Sequence, residues 1–161
     1  MVQDAPVTVD PAAAVERVYR EQGAKLFRSL YAFCGDRELA ADALAEALAQ
    51  ALGRGDAVES HARWIWRASF RIAAGELKAR STSKPVTLTH DTYEMAEPAV
   101  DLVQALTRLS PNQRVVAILH LYADMRTRDV AAILGVTQAT VRVHLSQARR
   151  RLRTLLEDDD G

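Results

Sequence analysis

The stretch from Asp129 to Arg142, Asp-Val-Ala-Ala-Ile-Leu-Gly-Val-Thr-Gln-Ala-Thr-Val-Arg, constrains this chain more than any other. Val130, Ile133 and Leu134 recur at helical spacing and give a short helix, Asp129 to Leu134, one apolar face. Gly135 follows where the chain must turn left-handed, the conformation that costs glycine least. Val136 is expected to plug the turn, and the Thr137 hydroxyl to cap the next helix. That helix runs from Gln138 to Leu156, with Val141, Leu145 and Leu152 facing inward. A short helix, a glycine turn and a capped basic helix make a helix-turn-helix, which places its second helix in the DNA major groove. Gln138, Thr140, Arg142, Val143, Ser146, Gln147, Arg149 and Arg150 are left for the groove or its rim. Arg142 suits guanine through two hydrogen bonds, and Gln138 or Gln147 suits adenine. Arg149 and Arg150 suit phosphates. The competing reading is a solvated helical face. Helical arginines alone would favour it; a capped helix-turn-helix carrying Arg149, Arg150, Arg151 and Arg153 does not.

The formal net charge of zero hides a polarised chain. From Leu102 to Leu156 the acids are only Asp124 and Asp129, against nine arginines. From His61 to Lys84, Arg63, Arg67, Arg71, Lys78, Arg80 and Lys84 oppose Glu76 alone. The balancing acids sit at Asp91, Glu94, Glu97 and Asp101 and in the tail from Glu157. A polyanion responds to the local patch rather than to the total.

The remaining pattern is helical, and the fold class is all-α. Asp10 and Pro11 read as an N-cap followed by proline at the first helical position. The helix that follows carries Val15, Val18, Tyr19, Leu26, Phe27, Leu30 and Tyr31, and Gly35 ends it. Asp36 caps a second helix, Glu38 to Leu52, with Leu44, Leu48 and Leu52 as its apolar face and Asp42 and Glu46 on another. A third, about His61 to Lys78, has Trp64, Ile65, Ala68 and Ile72 as its buried stripe. Helical period is lost between Ser81 and Pro98, which reads as a linker. Val100 to Leu109 resumes the pattern, and Ser110 and Pro111 start a helix from Asn112 to Tyr122. The expected organisation is two small helical domains, 12–80 and 99–157, joined by a linker, 81–98.

Other classes find little support. No apolar run reaches the roughly 20 residues of a membrane span, and the N-terminus lacks the basic and apolar regions of a secretory signal. Cys34 is the only cysteine; in Leu30-Tyr31-Ala32-Phe33-Cys34 it reads as core rather than as a redox sensor. His61, His90, His120 and His144 are scattered without ligand spacing, and no phosphate loop or nucleophile motif occurs. No enzyme, metal or cofactor is expected.

Leu106-Thr-Arg-Leu-Ser-Pro-Asn-Gln-Arg-Val-Val, continuing to Ala148-Arg-Arg-Arg-Leu, resembles region 4 of the extracytoplasmic-function sigma factors, the small sigma-70 type. Tyr31-Ala-Phe-Cys-Gly-Asp-Arg-Glu-Leu-Ala-Ala-Asp-Ala-Leu, followed by Ala62-Arg-Trp-Ile-Trp-Arg-Ala, resembles their region 2. The resemblance covers about Val15 to Leu156. It implies a first domain that binds the polymerase clamp and the -10 element and a second that reads the -35 element. Asp42, Ala45 and Glu46 fall on the clamp-binding helix, where Ala45 and Leu48 stand in place of the family's glutamine and aromatic. Arg63, Trp66, Arg67, Phe70 and Arg71 fall on the promoter-melting helix. Trp64 and Trp66 cannot share a face, so Trp64 is expected in the core and Trp66 or Phe70 nearer the DNA. Implied partners are core RNA polymerase, through its β′ clamp and β flap, promoter DNA and an anti-sigma factor. The implied setting is the bacterial cytoplasm, on the nucleoid. Two alternatives stay open: a sigma-like regulator that binds DNA or polymerase without supporting initiation, and a dimeric regulator with an effector-sensing first domain.

Overall fold

A computed structural model describes residues 10–81 and 97–159. These residues form α1 (Pro11–Cys34), α2 (Arg37–Arg54), a 3-10 turn (Gly55–Ala57), α3 (His61–Ser81), α4 (Glu97–Thr107), α5 (Pro111–Ala117), a π-helical turn (Ile118–Tyr122), α6 (Thr127–Leu134) and α7 (Gln138–Asp159). The all-α expectation holds. Most of the expected linker, residues 82–96, lies outside the described residues, and its two ends are helical. Ser81 closes α3, and Pro98 sits in the first turn of α4, where its missing N–H costs nothing.

Local side chains set most helix ends. The Asp10 carboxylate accepts from the Ala12 amide at 3.2 Å. Gly35 turns left-handed at φ 67° and returns its N–H to Tyr31 O, closing α1. One Asp36 oxygen accepts from the Leu39 amide at 3.1 Å, and the other meets Arg80 Nη1 at 2.6 Å, tying α2 to the end of α3. Partial burial works against ionisation of Asp36. The Leu39 amide and Arg80 outweigh it and hold the carboxyl below its usual value. Ser110 and Gln113 form a reciprocal capping box at α5.

The buried face of α2 differs from expectation. It consists of Leu39, Ala40, Ala43, Leu44, Ala47 and Ala51, while Leu48 is half-buried and Leu52 is 51% exposed. α2 packs between α1 and α3, and alanines on the shared face let the backbones come close where leucines would hold them apart.

The order of α3 is also reversed relative to expectation. Trp66 and Phe70 are core, at 2% and 4% exposure, and Trp64 is only half-buried. The indole N–H of Trp66 donates to Gln22 Oε1 on α1 at 2.8 Å, which removes the penalty of burying it. Phe70 meets Phe33 edge-on at 5.5 Å and stacks with Trp66 at 6.3 Å. α3 contacts α1, α2 and α6, so its buried arc is wider than a single stripe.

The two halves of the chain pack together. One apolar cluster runs from Val15 through Ile65 to Leu152. α1 touches α4, and α3 touches α6. Arg114 of α5 spans the seam: its guanidinium donates to Phe33 O at 3.0 Å, to Leu109 O at 3.3 Å and to Thr107 O at 3.4 Å, and lies 5.4 Å from the Phe33 ring centroid. Cys34 is buried beside this point, and burial pushes its thiol up to about 12. It is a core residue with little thiolate at neutral pH.

Candidate nucleic-acid interface

The helix-turn-helix forms as its residues dictate. Gly135 adopts φ 68° and donates to Ala131 O, ending α6. The Thr137 hydroxyl accepts from the Thr140 amide at 3.1 Å and contacts the Thr140 hydroxyl at 2.9 Å, starting α7. Val130, Ile133, Val141, Leu145 and Leu152 are buried, with Ala148 among them. Val136 does not plug the turn: it is 40% exposed, because α6 and α7 close directly on Val130 and Val141.

Gln138, Arg142, Val143, Ser146, Gln147, Arg149 and Arg150 are exposed along the outer face of α7, as expected for a groove-reading helix. Thr140 is only partly exposed, its hydroxyl engaged in the cap. Arg142, Leu145, Ser146, Arg149, Arg150 and Arg153 surround a shallow hollow of about 380 Å³. Among the described residues, none of these four arginines pairs with a carboxylate. Arg142 donates instead to Gln138 Oε1 at 3.3 Å, which aims both along the helix. Arg153, absent from the expected set, continues the row at the helical interval after Arg149 and Arg150, a periodicity that was readable.

On α3, Arg63, Arg67 and Arg71 are exposed. The aromatic beside them is Trp64, not Trp66 or Phe70, and Arg54 lies over its ring at 5.3 Å from the centroid. Arg54, Trp64, Arg67, Ala68 and Arg71 line a cleft of about 260 Å³. Arg54 ends α2 beside Gly53 and Gly55, and only tertiary packing brings it to Trp64.

On α2, Asp42, Ala45 and Glu46 are exposed together, and Gln50 donates to Glu46 at 2.9 Å. Next to them Tyr19, Gly23, Ala24, Phe27, Ala41, Leu44, Ala45 and Leu48 line an apolar groove of about 520 Å³ between α1 and α2. Tyr19, 57% exposed at its edge, was not anticipated there.

A capped helix-turn-helix bearing an arginine row without a carboxylate partner among the described residues, packed against a three-helix unit with its own basic helix, has the features of a helical DNA-binding protein. Residues 99–152 match the model for sigma-70, region 4. The chain is 27% identical to the ECF RNA polymerase sigma factor SigL of Mycobacterium tuberculosis, with 91% of each chain covered. It is 28% identical to the RNA polymerase sigma-E factor of Streptomyces antibioticus, over 90% of this chain and 86% of that one. The fold matches the sigma factor RpoE of Bartonella quintana, solved in complex with the anti-sigma factor NepR. That match has a TM-score of 0.73 and 22% identity and covers 88% of this chain and 96% of the other. Residues 99–152 are thus those of a sigma-70 region 4, and over most of its length the chain is similar to extracytoplasmic-function sigma factors.

Proposed function

We propose that this chain binds core RNA polymerase and directs it to promoters, reading the -35 element with α7 and the -10 element with α3. The observation that carries this reading is the row Arg142, Arg149, Arg150 and Arg153 on a capped recognition helix, with no carboxylate partner among the described residues. Its role is regulatory rather than enzymatic, acting at the nucleoid in the bacterial cytoplasm. The chain divides functionally into residues 12–80 and 99–157. Asp42, Ala45 and Glu46 on α2 meet the β′ clamp, and the second half meets the β flap. An anti-sigma protein is the expected regulator; the Bartonella quintana sigma factor of the same fold was solved in complex with one. The groove beside Ala45 and Leu48 favours one second reading, a regulator that engages DNA without supporting initiation, because an apolar face there replaces polar contacts to the clamp.

The packed form described above cannot serve both promoter elements at once. They lie about 25 base pairs apart, which at about 3.4 Å per pair is roughly 85 Å of duplex. A folded chain of 161 residues has a radius of gyration of about 15 Å. With α3 against α6, the two reading helices reach only one element together. Promoter engagement therefore separates the halves.

Replacing Arg142 with alanine tests the -35 assignment. Loss of a bidentate base contact costs about 1–3 kcal/mol at the selected site and relaxes specificity at one position. Binding measured on a set of single-base variants reads this directly. An equal loss on every sequence would make Arg142 a phosphate contact.

A further inference from the structure

A cavity of about 230 Å³ lies on the seam, where α1 meets α4 and the π-helical turn. The first half supplies Arg28 and Tyr31 to its lining, and the second supplies Leu102, Leu106, Leu121 and Tyr122. Arg28, exposed at the edge, is the one charged side chain among the described lining residues. Neither ion pair among the described residues involves it.

The backbone of the second half holds this space open. Ala123 N reaches back to Ile118 O at 2.9 Å, a wider ring than that of an α-turn, and such turns are frequent at functional sites. Asp124 follows at φ 55°, a left-handed conformation that an aspartate adopts at some cost. In the same turn Ile118 and Leu119 are buried, while Leu121 and Tyr122 are left exposed, as is Leu102 opposite. Three large apolar side chains therefore face water around one hollow.

The walls define the class of occupant. An apolar cavity of about 150 Å³ takes benzene, so about 230 Å³ takes roughly nine heavy atoms. Sugars and nucleotides would leave their polar groups unpartnered against such walls. A hydrocarbon body loses nothing there, and Arg28 favours an anionic head at the mouth.

We propose that this cavity binds an alkyl monocarboxylate of about eight to ten carbons, its chain between α1 and the π-helical turn and its carboxylate on Arg28, and that the ligand holds the two halves together. A ligand that touches both halves binds the packed form better than the parted one. It stabilises that form, and whatever parts the halves releases it. The effect on transcription rests on the proposed promoter function; the binding itself does not.

The test uses the full chain, with sodium hexanoate, octanoate, decanoate and dodecanoate as probes below their micelle concentrations, followed by titration calorimetry. Each methylene that enters apolar space strengthens binding roughly fourfold, so octanoate binds roughly 15-fold tighter than hexanoate. The gain stops once the cavity is full, and dodecanoate gains no more than about twofold over decanoate. Arg28→Glu, at an exposed position, weakens octanoate about 2- to 5-fold and strengthens octylammonium instead. Leu121→Gln, also exposed, weakens octanoate by roughly 5- to 10-fold. Bound octanoate slows amide hydrogen exchange in α1 around Tyr31 and in the π-helical turn together. The inference is overturned if affinity keeps rising with chain length, if both variants bind octanoate like wild type, or if only one half gains protection. Absence of binding by all four acids overturns it as well and leaves this face to a protein partner or a second copy. Run-off transcription separates the two readings. A chain whose transcription saturating octanoate does not reduce keeps the promoter reading and loses the inference. A chain that passes the binding tests and directs no transcript, with octanoate or without, keeps the cavity and loses the promoter reading.

Discussion

Arg114→Ala lowers the stability of the folded chain by about 2–4 kcal/mol, the combined order of a few hydrogen bonds from a charged donor less what water restores. In the folded chain the guanidinium serves Phe33 O, Thr107 O and Leu109 O and lies against the Phe33 ring. Alanine leaves three carbonyls at a half-buried seam to find water and removes a contact worth about 0.5–2 kcal/mol over an aromatic face. For a chain of this size the unfolding midpoint falls by about 5–15 °C. Arg114→Lys lies between, because a single ammonium keeps the charge but lacks the planar fork that reaches several acceptors. Urea unfolding of the three proteins, followed by circular dichroism, checks the order. A stability within about 0.5 kcal/mol of wild type for Arg114→Ala would remove the seam contact from the account.

The second large effect concerns polymerase. Reversing Asp42 and Glu46 to lysine together weakens binding to core polymerase at least tenfold, since like charges brought face to face in an interface cost several kcal/mol. Both side chains are exposed on one face of α2, so the fold tolerates the change. Duplex DNA binding through α7 is unaffected, because α7 lies on the other half of the chain. Co-sedimentation or fluorescence anisotropy with core polymerase, beside a duplex-binding control, separates the two activities. Unchanged polymerase affinity would take the clamp contact away from α2 and move attention to the apolar groove around Tyr19 and Leu48.

What the sequence disclosed follows the range of the forces involved. Asp10 with Pro11, Asp36 with Leu39, Ser110 with Gln113, and Gly135 with Thr137 act over a few residues, and each marks a helix end where the structure has one. The outer face of α7 was equally readable, because its inner residues, Val141, Leu145 and Leu152, repeat at the helical period.

What stayed hidden depends on partners distant in sequence. Trp64 and Trp66 are the same residue type two positions apart, and the choice of which to bury rests on Gln22, which receives the Trp66 indole proton. Of the α2 leucine face only Leu44 is buried; Leu48 and Leu52 give way to alanines, which close approach of α1 and α3 selects. Nothing local in Ser110 to Leu119 announces that Arg114 reaches back to Phe33. The same is true of the cleft: Arg54 and Trp64 meet only once α2 and α3 pack.

The packing of the two halves recasts the function as a change of state. A chain with α3 held against α6 keeps the residues proposed for the -10 element and its helix-turn-helix on one small body. On the proposed function, reading both elements requires that body to open, and the Arg114 contacts across the seam oppose it.

The central claim is that this chain directs core polymerase to promoters through two DNA-reading helices. Run-off transcription with core polymerase from Streptomyces coelicolor, on templates selected from a randomised promoter library, tests it most directly. The account predicts transcripts that start at one position, depend on two conserved elements in the selected templates and disappear when Arg142, Arg149 and Arg150 are replaced together. Tight binding of those templates with no transcript from any of them would contradict it.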